Sequence, residues 1–152
     1  MKLAIGTVQF GINYGINNKN GIPSDIDVAE IFDLLKTNNI KYLDTSISYG
    51  NSEERISKLA NNKFNIITKS NNVKNSEELS SSILTSLSSL KTESVYGFLF
   101  HNSDNLIDNH DLLFTLLPMI SLASMTNSSI NMNYYEIPPK VWLILVVYQL
   151  CL

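Results

Sequence analysis

Residues 40–56 read IKYLDTSISYGNSEERI, and two changes of pattern within them decide the fold. Ile40 to Thr45 is a short apolar run closing on Asp44, with the length and composition of a buried strand. Ser46 to Gly50 is small and polar, as a turn is. Asn51-Ser52-Glu53-Glu54 then supplies an N-cap with acids in the first turn, and Ile56, Leu59 and Ala60 make a short apolar helix face.

The same plan repeats on both sides. Downstream, Phe64 to Lys69 (FNIITK) and Tyr96 to His101 (YGFLFH) are again apolar runs that end on a titratable residue. Between them Asn75-Ser76-Glu77-Glu78 caps the clearest helix, whose Leu79, Ile83, Leu87 and Leu90 recur on one face with serines opposite. Upstream, Leu3 to Phe10 (LAIGTVQF) reads as a first strand whose glycine lets a ligand or neighbouring backbone come close. The Asn- and Gly-rich stretch Gly11 to Gly21 is a loop. A helix follows, capped by Ser24, carrying Val28, Ile31, Phe32 and Leu35 on one face, and ended by Asn38-Asn39.

Strand and helix alternate at about 30 residues per unit, the period of βα repeats with parallel strands. The expected fold is α/β: about the first four units of a (β/α)8 TIM barrel, with an irregular C-terminal tail. A closed barrel takes about 250 residues, and this chain has 152. Residues 1–117 are read as the N-terminal half of a barrel and 118–152 as a divergent or out-of-frame apolar tail. After Pro118 neither period persists, and Pro138-Pro139 blocks a helix. The last segment, VWLILVVYQLCL, is shorter than the roughly 20 residues that span a bilayer. It can be a buried element, a frameshifted sequence or a membrane-associating tail.

A net charge of −3 and a pI near 5.3 give no electrostatic reason to expect nucleic acid as a partner. A membrane partner is likewise not expected. The single cysteine, Cys151, excludes an internal disulfide and fits a reducing compartment. The start MKLAIGTVQFG lacks the apolar core of a secretory signal. The expected location is the cytoplasm. His110 stands among Asp104, Asp108 and Asp111, but the setting reads as a polar loop and helix cap, and no metal is expected.

The chemistry gathers at the strand ends. Lys69 lies 25 residues past Asp44 and His101 lies 32 past Lys69, each about one strand and one crossover helix. Residues so spaced become neighbours around a barrel mouth, and Tyr49 in the loop after Asp44 can fold over it. A tyrosine beside an ammonium can give a proton to a carbonyl oxygen as hydride reaches the carbon, because the ammonium stabilises the phenolate. Lys69 is that ammonium, Asp44 favours its charged form, and His101 can hydrogen-bond the oxygen.

Asp44-Thr45-Ser46 followed by Tyr49-Gly50-Asn51-Ser52-Glu53 resembles the DTA and YG.SE signature of the aldo-keto reductase family. GTVQFG, IITKS and FLFHN resemble the family's first strand and the strands carrying its lysine and histidine, so the likeness covers about the first 115 residues. Two small departures are Ser46, where alanine is common, and Asn102 after the histidine. The resemblance implies reduction of a small-molecule aldehyde or ketone with NADPH, without metal or flavin. It makes Asp44, Tyr49, Lys69 and His101 the catalytic set, with Gly6 and Thr7 near the nicotinamide. The family's later strands supply most contacts to the cofactor, and no counterpart is legible after Pro118. The chain is therefore expected to be a truncated form, with a non-catalytic half-barrel or interaction module as the alternative. A half-barrel leaves open sheet edges that invite self-association.

Overall fold

The computed structural model describes residues 3–61 and 63–101. Readings that fall on 102–152, among them the His110 cluster, Asn102, the helix start at Asp111 and the apolar tail, lie outside the described residues. In chain order the elements are β1 (Ala4–Gly6), α1 (Val8–Gly11), α2 (Asp25–Thr37), β2 (Tyr42–Asp44), α3 (Ser52–Leu59), β3 (Asn65–Lys69), α4 (Ser76–Leu90) and β4 (Gly97–Leu99). The strands form one sheet in the order β1-β2-β3-β4, every pair parallel. This is the expected α/β arrangement of the first units of a (β/α) barrel.

Two helices end where local chemistry ends them. Ser24 accepts from the Asp27 amide while the Asp27 carboxylate accepts from the Ser24 amide, a reciprocal capping box that starts α2. At its other end Asn39 takes a positive φ of 55°, with Asn39 N–H on the Lys36 carbonyl and Ile40 N–H on the Leu35 carbonyl. That is a Schellman stop, for which asparagine is one of the few suitable non-glycine residues. Helix α4 is capped as expected, Asn75 Oδ1 accepting from the Glu78 amide at 2.9 Å. Helix α3 is not. Asn51 makes no side-chain cap bond, because its backbone (φ −94°, ψ 18°) is not in the extended conformation that aims a cap.

The first strand is also shorter than its sequence suggested. It ends at Gly6, and Val8–Gly11 is one helical turn. Thr7 turns the chain: its amide and hydroxyl both bind the Asp44 carbonyl, and its own carbonyl accepts from the Phe10 amide. The turn then crosses the loop after β2 at backbone contact distance. A Cβ on Gly11 would lie 1.7 Å from the Tyr49 carbonyl oxygen. Gly50, at φ 59°, faces the Gly11 carbonyl, so no other residue fits either position without displacement.

The helix side of the sheet carries the core. Phe10, Val28, Phe32, Leu35, Leu43, Ile56, Ala60 and Leu90 form one cluster, with Phe32 fully buried between the rings of Phe10 and Phe64. Val73, Leu79 and Ile83 form a second cluster with Phe98 and Phe100. Arg55 locks α3 onto the start of α2. Its guanidinium bonds Asp25, the Phe10 carbonyl and the Pro23 carbonyl at 2.6–2.8 Å.

Candidate active site

Register places the site. Gly6 is level with Asp44, Asp44 with Ile67, Ile67 with Gly97 and Lys69 with Leu99. Side chains alternate along a strand, so Gly6, Asp44 and Lys69 share the face away from the helices, and His101 continues it two residues past Leu99. From β2 to β3 and on to β4 the tetrad position steps two residues further along the register. Such a stagger is what a sheet curling into a barrel requires.

Lys69 is the centre. Only 7% exposed, its ammonium donates to Asp44 Oδ1 at 2.7 Å, to the Thr45 carbonyl at 3.0 Å and to the Tyr49 hydroxyl oxygen at 3.5 Å. A buried cation needs such partners, and here carboxylate, carbonyl and phenol supply them. The ammonium also lies 5.1 Å from the centre of the Tyr49 ring. His101 meets that ring edge to face, centroids 6.2 Å apart. The structure therefore brings all four expected residues together.

His101 is exposed overall, yet one side of its ring is packed. Burial on that side, followed by the nearby Lys69 charge, pushes the imidazole below its ordinary value, against a smaller opposing effect of Asp44. Its Nδ1 lies 3.5 Å from the Ser46 hydroxyl. Ser46, fully buried, also donates to the Lys69 carbonyl at 3.4 Å and accepts from the Ser48 amide at 3.1 Å.

Gly6, at the end of β1, and Thr7, in the turn after it, part company. Gly6 is exposed at the strand end, and a Cβ there would meet nothing within 4 Å, which leaves flat open surface beside Asp44. Thr7 is fully buried, its hydroxyl donating to the Asp44 carbonyl and accepting from Ser52. None of the tetrad lines the open hollow of about 860 Å³ formed by Gln9 and residues 14–20. Among the described residues no three His, Cys, Asp or Glu side chains converge as a metal site would require, and no helix is long and apolar enough to cross a membrane.

Sequence reasoning missed Glu53. Read only as an acid of the helix's first turn, it is 3% exposed and accepts from the Thr68 hydroxyl at 2.6 Å. The signal was present: Glu53, Ile56 and Ala60 fall on one helical face, so this carboxyl lies on the buried stripe.

A parallel βα sheet with Asp, Tyr, Lys and His gathered at and just past the carboxyl ends of its strands has the layout of a (β/α) barrel mouth. The sequence matches the aldo/keto reductase family over residues 2–129, and the chain belongs to that family. Among solved structures, a protein from Pseudomonas aeruginosa assigned to the aldo-keto reductases is 26% identical, with a TM-score of 0.69 over 80% of this chain and 51% of that one. The holo form of an aldo-keto reductase from Bacillus halodurans (17% identity, TM-score 0.63, 80% and 43% covered) shares the fold. So does a thermostable aldo-keto reductase in complex with the inhibitor epalrestat (21%, 0.64, 80% and 46%). The chain spans about half the length of these structures. No curated protein matched it in sequence.

Proposed function

We propose that the chain is a cytoplasmic, NADPH-dependent oxidoreductase acting on a small aldehyde or ketone, with Tyr49 as the proton donor. One observation carries the reading: the Lys69 ammonium points at the Tyr49 hydroxyl oxygen while held by Asp44 and Thr45. An ammonium has donors and no acceptor. Tyr49 must therefore accept from Lys69, which leaves its own O–H to donate to a substrate oxygen.

The bare surface at Gly6 suits the face of a planar nicotinamide beside Asp44, and NADPH bound there supplies the hydride. As charge gathers on the carbonyl oxygen, Tyr49 transfers its proton to it and becomes a phenolate. Lys69 stabilises that phenolate by charge and hydrogen bond, and Asp44 pairs with the ammonium and holds it in place. A neutral His101 donates from Nε2 to the same oxygen once the Ser46 hydroxyl turns its one proton from the Lys69 carbonyl to Nδ1, orienting the carbonyl.

The test is NADPH binding by fluorescence together with turnover of a panel of aldehydes and ketones. Tyr49→Phe is expected to keep NADPH binding and to lose about 10²-fold or more in turnover. Failure of the wild-type chain to bind NADPH at high micromolar concentration would overturn the reading.

A second reading has its own observation. Among the described residues β1 pairs only with β2 and β4 only with β3, so the sheet has two edges. A non-catalytic half-barrel that associates with itself through those edges is consistent with this.

A further inference from the structure

The first turn of α3 begins with two buried side chains that the proton relay does not use. Ser52, fully buried, donates to the Thr7 carbonyl and lies 2.9 Å from the Thr7 hydroxyl, and Thr7 in turn grips the Asp44 carbonyl. Glu53 reaches the other way, to Thr68 on the helix side of β3. Between them these residues link α3 to the ends of β1, β2 and β3.

Glu53 is the unusual member. Burial pushes its carboxyl above the ordinary range, against the Thr68 and Ser86 hydroxyls, which favour the charged form. Ser86 on α4 faces the carboxyl without a well-formed hydrogen bond. No cation contributes from α3, β3 or α4. An apolar side chain on this stripe would pack without that desolvation penalty, so stability alone does not account for an acid here. What the acid adds is direction: one short hydrogen bond between two fixed points.

Those points matter because of what lies next to them. Thr68 precedes Lys69 on β3, and Glu53 follows Tyr49 by four residues on the segment that runs from the mouth into α3. We propose that Glu53 is a positioning residue for the Tyr49 and Lys69 pair, its bond to Thr68 joining the two segments and fixing the distance from phenol to ammonium. The proposal rests on the tetrad acting as a proton relay. It assigns Glu53 no contact with substrate or cofactor.

The experiment reads the Lys69 ammonium directly, through proton-nitrogen correlation spectra of lysine side chains. An ammonium held by three oxygens in a buried site exchanges slowly with water, and its signal is assigned by its loss in Lys69→Arg. Glu53→Gln keeps an acceptor for Thr68 and is expected to keep the signal. Glu53→Leu fills the space without an acceptor, and Thr68→Val removes the donor at nearly constant volume. Both are expected to lose the slowly exchanging signal while circular dichroism and melting show a folded chain.

A purely structural Glu53 predicts the opposite, an unchanged signal in both variants, and that result overturns the proposal. So does a wild-type chain with no such signal. If Glu53→Leu unfolds, Thr68→Val decides. In turnover the same two variants are expected to fall tenfold or more in kcat with KM for NADPH unchanged, and Glu53→Gln to recover. A wild-type chain without turnover refutes the catalytic reading and leaves the ammonium result standing on its own.

Discussion

His101 shows how neighbours set a single group. Burial against Tyr49 and Ser46 acts first and the Lys69 charge second, both disfavouring the imidazolium. The folded chain therefore holds fewer protons here than the unfolded chain just below the usual imidazole value of 6.5. Stability contributed by this group is present above that value and is lost as pH falls toward the lower folded value. A proton NMR titration should place the His101 midpoint below 6.5. Lys69→Met should move it upward, since the Asp44 charge then acts unopposed, and a midpoint unmoved by that substitution would contradict the assignment. Asp44, Tyr49, Lys69 and His101 were legible from strand-end spacing and the family resemblance taken together. Glu53 was not, because an acid near a helix start is usually solvated, and only packing against Thr68 shows that this one is buried.

At the scale of elements, local signals are legible where residues a few positions apart decide them. The capping box at Ser24, the Asn75 cap and the stop at Asn38-Asn39 all depend on side chains within a few residues. Where a distant partner intervenes, the reading failed: β1 stops at Thr7 because of the Asp44 carbonyl, and α3 starts from a turn pressed against Gly11. Arg55 is the long-range counterpart of the Ser24 cap, binding three groups brought together only by the fold. The two can be compared by chemical denaturation. Ser24→Ala should destabilise by about 1 kcal/mol, the usual worth of a cap. Arg55→Met should lose about 3 kcal/mol, because it leaves the Phe10 and Pro23 carbonyls without their donor. Equal losses would mean that the Arg55 cluster is no more than a surface contact.

For the whole molecule, four parallel strands with helices on one side leave the tetrad face and two sheet edges among the described residues. If those edges recruit a second copy, sedimentation should give a mass above 17.1 kDa that grows with concentration. A monomer at every concentration, with a melting temperature raised by NADPH, would count against the half-barrel reading and for the enzyme. The sequence by itself determined the βα alternation, the caps of α2 and α4 and the four chemical groups, since periodicity and local hydrogen bonding are written within each segment. Only the tertiary structure decided that Lys69 faces Asp44 and Tyr49 at once, that Ser46 backs His101 and that Glu53 is buried beneath Thr68. Strand register and helix docking set those relations, and they follow from contacts between residues far apart in the chain.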